Sequence, residues 1–157
     1  MATEFDFDPA EFITIGTIGP KGQREFFLQA GHDGRIISFK IEKEQAWALS
    51  EAIQEFVEEL DKRFDEQTEV QMAALDMDLR EPIQSMFRIS QLGLAYDEDT
   101  GKVILIAQEL GTDDEAGIAR VYCTREQMYA LSIRAMDTVE AGRPSPQQNG
   151  RITYYWT

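Results

Sequence analysis

The sequence predicts an α+β domain that contains two copies of one strand-strand-strand-helix unit, with a mainly antiparallel sheet covered by two long helices. Three observations lead to this fold class. Two eight-residue segments are near-repeats, strand-like alternation precedes both of them, and helix-like apolar spacing follows both. The chain of 157 residues is expected to form a single domain. Its repeat halves are placed at approximately 12–64 and 87–142, and a tail at 145–157.

The near-repeat is the most specific of these signals. Residues 43–50 and 125–132 lie 82 positions apart, the difference between 125 and 43, and five of their eight positions are identical. Each segment follows a stretch in which apolar and polar residues alternate, as in a strand with one buried face. The apolar residues are Ile37, Phe39 and Ile41 in the first stretch and, at the same offset, Ala119, Val121 and Cys123 in the second. The shared parity predicts that the two strands bury the same face.

Each near-repeat is expected to start a helix. Thr124 and Gln127 have the spacing of a capping box, and Glu42 occupies the equivalent place in the first copy as a weaker cap. The first helix is expected to end near residues 63–64, and the second at Gly142. Apolar residues at helical spacing are Leu49, Ile53, Phe56 and Leu60 in the first helix and Leu131, Ala135 and Val139 in the second.

Two further strands are expected before each strand-helix junction, and glycine-containing turns separate them. These strands are residues 12–18 and 25–30 in the first copy and residues 87–96 and 102–109 in the second. Six strands are therefore expected in one mainly antiparallel sheet or in two abutting sheets, with a pseudo-two-fold axis between the halves. The polar segment that joins the halves suggests only a short helix around residues 69–75.

The composition indicates which kinds of partner and which cellular compartment to expect. Lys and Arg number 15 against 29 Asp and Glu, for a net charge of −14, so the chain would repel a nucleic-acid backbone. The one cysteine, Cys123, cannot form an intramolecular disulfide, and with the one histidine, His32, it cannot complete a structural zinc site. No signal peptide or membrane-spanning run is recognised. We therefore expect a cytoplasmic protein that binds neither nucleic acid nor membrane and needs no cofactor or metal.

Several short motifs are distinctive. They are Phe7-Asp8-Pro9, Gly16-Thr17-Ile18-Gly19-Pro20-Lys21-Gly22-Gln23-Arg24, Phe26-Phe27-Leu28-Gln29, Glu42-Lys43-Glu44-Gln45, Leu94-Ala95-Tyr96-Asp97 and Ala141-Gly142-Arg143-Pro144. On these motifs the chain resembles a bacterial domain-of-unknown-function family, number three-thousand-and-ninety, of uncharacterised actinobacterial-type proteins. The resemblance implies a small cytosolic protein, often encoded beside a histidine-phosphatase-like and a kinase-like protein. Many members carry a cysteine-rich, zinc-ribbon-like tail, but residues 145–148 contain no cysteine here, so that metal site is not carried over.

The chain offers few groups for catalysis. His32 lies in a turn signal, where an exposed histidine without a catalytic role is expected. Cys123 lies on the apolar face of its own predicted strand, together with Ala119 and Val121. This register favours a buried, inert thiol over a reactive thiol at a helix start. The glycines of residues 16–22 favour a hairpin turn over a phosphate loop, because no Gly-Lys-Ser/Thr ending and no following helix are present. No catalytic, cofactor-binding or metal-binding residue is therefore assigned.

Four residues are candidates for interaction with a partner or ligand. They are Gln23, Arg24, Arg35 and Arg88. Guanidinium groups bind carboxylates and phosphates well, although a structural ion pair explains Arg24 equally well. The aromatic run Ile152-Thr153-Tyr154-Tyr155-Trp156 is expected to pack on its own domain more often than to bind a partner, and an added edge strand is one option.

Two classes of function fit these observations. The first is a non-catalytic binding or adaptor module with protein partners, which the scarcity of histidine and cysteine and the acidic surface favour. The alternative is an enzyme or enzyme subunit that acts on a phosphorylated or other anionic small molecule through Arg24, Arg35 or Arg88. A homo-oligomer with a structural role is a third interpretation.

Overall fold

The computed structural model describes residues 4–111 and 115–141, and these residues form an α+β fold. The predicted tail at 145–157 and the predicted helix end at Gly142 lie outside the described residues. The strands are β1 (Glu4–Phe7), β2 (Phe12–Ile18), β3 (Glu25–His32), β4 (Arg35–Ile41), β5 (Ser85–Asp97), β6 (Lys102–Glu109) and β7 (Ile118–Cys123). The helices are α1 (Lys43–Phe64) and α2 (Arg125–Ala141), and a 3₁₀ turn spans Met72–Ala74.

The seven described strands form one mixed sheet in the order β1-β7-β6-β5-β4-β3-β2. Antiparallel pairing joins β2, β3 and β4 on one side and β5, β6 and β7 on the other. The pairs β4–β5 and β1–β7 are parallel, so the expectation of a mainly antiparallel sheet is corrected to a mixed one. The parallel β4–β5 pair arises because α1 continues beside β5 in the direction of β4, and the segment at 65–84 then returns the chain to the start of β5.

The pseudo-two-fold axis expected between the halves stays a prediction. The strands β2, β3 and β4 follow one another in the sheet in the same order and the same directions as β5, β6 and β7. A two-fold axis that runs along the strands keeps their directions, so this strand order is compatible with the prediction.

The predicted apolar faces of β4 and β7 are confirmed by burial, although Ser38 on the other face of β4 is buried as well. The inward residues of β4 and β7 are at most 3% exposed, and one apolar cluster joins them to the buried stripes of both helices. Phe56 differs from the expectation because it is only half-buried. Among the described residues, no helix combines the length and the apolar character that crossing a membrane requires.

Both helices begin at the predicted junctions. The backbone N–H of Gln127 donates to Thr124 Oγ1 at 3.0 Å, and the backbone N–H of Thr124 donates to Gln127 Oε1 at 2.9 Å, which confirms the capping box. At α1, the backbone N–H of Glu42 donates to Gln45 Oε1 at 2.7 Å. The predicted end of α1 is confirmed too, because Asp65 closes the helix in the left-handed conformation.

The helices pack against each other in opposite directions. Arg125, at the start of α2, pairs with Asp61 near the end of α1 at 3.0 Å, and both side chains are largely covered. Further along, Ser50 Oγ donates to the Ser132 carbonyl at 2.7 Å. Burial acts to raise the pKa of Asp61, but hydrogen bonds from Thr68 and Arg125 outweigh it and lower that pKa.

The segment between the halves covers the sheet face opposite to the helices. Thr14 on β2 and Gln29 on β3 are buried on this face, where Thr14 Oγ1 donates to the Met77 carbonyl at 2.5 Å. Gln29 Nε2 donates to the Arg80 carbonyl at 2.7 Å, and its Oε1 accepts from the Arg80 N–H at 2.7 Å. These bonds hold an irregular segment on the sheet, and of the short helix suggested there only the 3₁₀ turn is present.

Candidate functional site

An open strand edge lies next to α1. The strand β4 pairs with β5 at only two positions, Ser38 with Ser85 and Lys40 with Arg88, before β4 ends and the chain turns into the helix. From Ile89 onward, β5 pairs with β6 along one edge, and no described strand pairs with its other edge. Backbone N–H and C=O groups on such an edge are free to pair with another chain segment.

Polar contacts fix α1 against both ends of this edge. At the start of the helix, Gln45 Nε2 donates to the Ile89 carbonyl at 3.0 Å. At the end of the helix, Arg63 forms hydrogen bonds of 2.6 and 2.8 Å with the carboxylate of Glu98, just beyond β5. The Arg63 guanidinium also lies 5.7 Å from the ring centre of Tyr96. The helix and the strand are therefore tied together at their ends and separated between them.

The space between the helix and the strand is a groove of about 880 Å³. We call it the α1–β5 groove. Its lining residues are Gln45, Ala48, Leu49, Ala52, Glu55, Phe56, Glu59, Leu60 and Arg63 of α1 and Ser90, Leu92, Gly93, Leu94 and Tyr96 of β5. Most of these side chains are apolar, and the charged ones lie on the helix side. The groove therefore suits an apolar, extended segment.

The local sequence explains why the groove stays open. Ala48 and Ala52 are exposed on the flank of α1 that faces β5, where larger side chains would fill the space. On β5, Leu92, Leu94 and Tyr96 are only partly buried, although they pack against the main apolar cluster. A partly exposed apolar strip of this kind is typical of a binding surface.

The sequence-predicted arginines divide between two places. Arg24 and Arg88 line one cavity of about 380 Å³ near the start of α1, where Arg88 pairs with Glu42. Arg35 lies at the other end of β4 from this cavity, and its guanidinium stacks 5.7 Å from the ring centre of Phe5. The structure therefore brings Arg24 and Arg88 together and leaves Arg35 apart.

The fourth candidate lies in a turn. The backbone N–H of Gln23 donates to the Pro20 carbonyl at 2.9 Å, and the Gln23 side chain is exposed outside the cavity that Arg24 lines. Gln23 therefore shapes the β2–β3 hairpin.

The reactive groups considered from the sequence have structural partners or are buried. His32 Nδ1 donates to the Pro9 carbonyl at 2.6 Å. Cys123 is fully buried, and this burial raises the pKa of its thiol. Across residues 4–111 and 115–141, no group of three or more His, Cys, Asp or Glu side chains is arranged to hold a metal ion.

The groove was missed from the sequence. Two sequence signals point to it. Ala48 and Ala52 are small residues four positions apart on α1, and Leu92, Leu94 and Tyr96 alternate along β5. Each pattern alone is typical of ordinary helix packing or of an ordinary strand. The groove appears only when β4 is known to leave β5 after Arg88.

These features define an α+β protein with a mixed sheet and an apolar groove between a helix and an open strand edge. Residues 5–151 match the model of the DUF3090 family, which is described as a protein of unknown function. The match covers most of the chain, so the protein belongs to this family, as the short motifs indicated. No curated protein matches the chain, and no solved structure matches it either.

Proposed function

We propose that this protein is a non-catalytic binding module that holds an extended, apolar segment of a protein partner in the α1–β5 groove. One observation carries the proposal, namely that the open edge of β5 borders an apolar groove along its length. An added strand gains main-chain hydrogen bonds from such an edge, and its alternate side chains enter the groove. Main-chain hydrogen bonds then supply the affinity, and the apolar floor of the groove supplies the selectivity.

The dimensions fit a short strand. The open part of β5 runs from Ile89 to Asp97, and strands rise by about 3.3 Å per residue, so roughly 25–30 Å of edge is available. The α1 helix, at about 1.5 Å per residue over its 22 residues, borders this edge for its whole length. A partner segment of about five to eight residues, a usual strand length, fills the groove.

Charge favours a neutral or basic partner. Glu55 and Glu59 lie on the helix side of the groove and Arg63 at its end, within a chain of net charge −14. Long-range repulsion therefore acts against acidic segments, and this repulsion weakens as salt screens it. Selectivity for basic over acidic flanking residues should decrease at high ionic strength.

A peptide selection tests the proposal. The full chain selects binders from a random-peptide phage library, and the affinity of each selected peptide is then measured by fluorescence polarisation. The variant Ala52→Glu places a charge on the groove wall and should weaken binding by about tenfold or more, because the charge must be buried beneath the peptide. Gln54→Glu adds the same charge on the flank of α1 that faces Tyr129, so it should change affinity little.

Two outcomes contradict the binding module. One is that no peptide is selected at any ionic strength. The other is that Ala52→Glu and Gln54→Glu weaken binding equally, because the groove would then have no special role. Circular dichroism and melting curves of both variants show whether the fold is intact, which is expected because both positions are exposed.

A second candidate function is the binding of an anionic small molecule at the Arg24–Arg88 cavity. The favouring observation is that side chains from both halves of the chain meet there, with four cationic and three anionic residues lining the cavity. This small positive excess stands out in an acidic chain. Two ion pairs argue against this candidate function, because they already engage cationic side chains of the cavity. Arg88 is paired with Glu42, and Lys40 is paired with Glu25 at 2.5 Å.

A thermal-shift screen with nucleotides and sugar phosphates tests the second candidate. A ligand at 100 times its dissociation constant should stabilise the fold by about 2.7 kcal/mol. The variant Arg24→Gln should abolish the shift if the cavity binds the ligand, whereas Arg35→Gln, at the other end of β4, should retain it. A flat response across the panel contradicts this candidate.

We further propose that the two halves arose by duplication. The equivalent residues Gln45 and Gln127 support this, because each accepts the cap N–H of its helix and donates its amide to a backbone carbonyl, at Ile89 and Ala10 respectively. The matching strand order supports it too. Alignment of the family's first halves against its second halves should then give a significant match at an offset near 82; a match no better than shuffled sequences contradicts duplication.

A further inference from the structure

We propose that the partner segment held in the α1–β5 groove carries an arginine whose guanidinium group lies beside Ala52, within reach of Glu55 and the Leu94 carbonyl. This inference rests on the proposed function, because it names the chemistry of the partner at the same groove. It follows from a comparison with the place where α2 lies against the edge of β2, which we call the α2–β2 contact. At that contact the chain itself supplies such an arginine.

The α2–β2 contact contains an arginine bound to a strand edge. β2 is the last strand of the sheet, so no described strand pairs with its outer edge. Gln127 Nε2 of α2 donates to the Ala10 carbonyl, just before β2, at 2.9 Å. Further along α2, Arg134 Nε donates to the Ile15 carbonyl at 3.1 Å, and its guanidinium lies 3.6 Å from Asp78. The arginine thereby satisfies a backbone oxygen of the open edge.

Leu94 in the groove occupies the place that Ile15 occupies at the α2–β2 contact. Each of these two residues belongs to a row that crosses three neighbouring strands. The rows are Ile15, Leu28 and Phe39 in the first half and Leu94, Leu105 and Val121 in the second. The last residue of each row comes at the same distance before its helix, 39 before 43 and 121 before 125. The two edge carbonyls therefore correspond.

Ala52 in α1 occupies the place that Arg134 occupies in α2. Gln45 donates its amide to the Ile89 carbonyl at 3.0 Å, as Gln127 does at its own strand. Counted from these two glutamines, the seventh residue is Arg134 in α2 and Ala52 in α1. The groove thus has a methyl group where the α2–β2 contact has a guanidinium.

The Leu94 carbonyl points into the groove. Ile89 and Leu94 both turn their side chains toward the apolar cluster. Side-chain face and carbonyl direction alternate together along a strand, so the carbonyls of these two residues point to the same edge. Gln45 of α1 binds the Ile89 carbonyl, so this edge is the one beside α1. No described side chain donates to the Leu94 carbonyl.

Two carboxylates border the place that lacks the guanidinium. Glu55 and Glu59 line the groove, and neither forms an ion pair with a described residue. Glu55 corresponds to Asp137, which lines one cavity together with Arg134. A carboxylate and an edge carbonyl therefore recur in the groove without their cation.

The arginine that the groove does contain is engaged at its far end. Arg63 forms hydrogen bonds of 2.6 and 2.8 Å with the carboxylate of Glu98. It comes eleven residues after Ala52, which is about 16 Å along a helix that rises about 1.5 Å per residue. The cation beside Ala52 must therefore come from the partner.

The chemistry of the site favours arginine over lysine. A guanidinium has five N–H donors in a planar fork, so it can bind a carboxylate and a carbonyl at the same time. A carbonyl oxygen has two lone pairs, so the Leu94 oxygen can accept from the guanidinium and also from a backbone N–H of an added strand. The arginine is therefore compatible with the proposed strand pairing.

A small probe tests guanidinium binding without a peptide. N-acetyl-arginine methylamide is titrated into the methyl-labelled full chain, and N-acetyl-citrulline methylamide serves as the neutral probe of similar shape. The methyl signals of Leu94 should shift at about fivefold lower concentration of the arginine probe, because its hydrogen bonds are charge-assisted. Ala52→Arg fills the same space with a guanidinium of the chain and should abolish this preference, whereas Gln54→Arg, on the flank that faces Tyr129, should retain it.

Peptides from the library selection test the same site in a longer ligand. The selected peptides should share one arginine within an apolar stretch, and its replacement by citrulline should weaken binding by about tenfold. In the Glu55→Gln chain, the same replacement should weaken binding by only about two- to threefold, because the carboxylate partner is gone. Glu58→Gln removes an equal charge from the other flank of α1 and should keep the difference at about tenfold.

Three outcomes overturn the inference. The arginine and citrulline probes shift the Leu94 signals alike, or the selected peptides share no arginine, or Glu55→Gln and Glu58→Gln reduce the preference for arginine equally. Melting curves show whether each variant is folded, which is expected because the substituted residues are all exposed, namely Ala52, Gln54, Glu55 and Glu58.

The failure of this inference is distinguishable from the failure of the proposed function. Ala52→Glu still weakens an arginine peptide, because its side chain fills the space that the guanidinium requires. If peptides bind, Ala52→Glu weakens them and arginine is not preferred to citrulline, the binding module stands and this inference is wrong. If the arginine probe is preferred at Leu94 while the library yields no peptide, the guanidinium site stands and the binding module is wrong.

Discussion

Replacing Gln29 with alanine should loosen the segment that covers the outer face of the sheet. Gln29 is fully buried, and its amide makes three hydrogen bonds. It donates to the Arg80 carbonyl and to Ser38 Oγ, at 2.7 and 3.1 Å, and it accepts from the Arg80 N–H at 2.7 Å. The two bonds with the Arg80 backbone resemble the pair of N–H···O=C hydrogen bonds that two residues on neighbouring antiparallel strands exchange. In the alanine variant, the Arg80 backbone loses both partners.

The size of the effect follows from these bonds. Each intramolecular hydrogen bond contributes about 0.5–1.5 kcal/mol, so the loss of three should lower the free energy of unfolding by about 2–4 kcal/mol. Water reaches the Arg80 backbone if the segment lifts from the sheet, which keeps the loss within this range. Urea denaturation followed by circular dichroism measures it, and an arginine-specific protease should cut after Arg80 more quickly in the variant.

Gln91→Ala is the matched control. Gln91 is an exposed glutamine in β5, and exposed substitutions of this kind change stability by about 0.5 kcal/mol or less. If Gln29→Ala changes stability no more than Gln91→Ala, and cleavage after Arg80 is not faster, the segment is not held by Gln29 and the description of the outer face is wrong.

Asp61→Asn should cost about 1–3 kcal/mol at neutral pH, because Arg125 loses a charged partner. The folded-state pKa of Asp61 is lowered, so its contribution is present above the usual carboxyl pKa near 4 and is lost as pH falls through the lowered value; urea titrations at several pH values should converge at acid pH. Cys123 should resist thiol reagents until the protein unfolds; rapid native labelling refutes its burial. Gly16→Ala should lower the melting temperature, because its Cβ would lie 2.5 Å from Leu79 Cγ; an unchanged melting temperature refutes this contact.

Regular elements with strong periodicity were predictable from the sequence. The strands of both hairpins, the buried alternation around Phe39 and Val121, and the capping box of Thr124 and Gln127 depend on local spacing that tertiary contacts do not override. The strand β1 was missed although Phe5 alternates with acidic neighbours, because four residues give too short a pattern and its parallel partner β7 is far along the chain.

Features that depend on strand order were not predictable. Arg24 and Arg88 meet because β3 begins beside the end of β4, where Arg88 of β5 pairs with Lys40, whereas Arg35 starts β4 at the other end. The groove depends on the point at which β4 leaves β5. The irregular segment is likewise held by Gln29, a polar residue that a strand pattern does not mark as buried. Sequence periodicity contains no information on any of these pairings.

The most direct test of the α1–β5 groove is to locate a bound peptide by nuclear magnetic resonance. Methyl-labelled full chain is mixed with a peptide from the phage selection, and intermolecular nuclear Overhauser effects are recorded. We expect contacts from the peptide to the methyl groups of Leu92, Leu94 and Ala52. Contacts confined to exposed apolar residues elsewhere, such as Ile18 or Leu75, would contradict the assignment of the groove as the binding site.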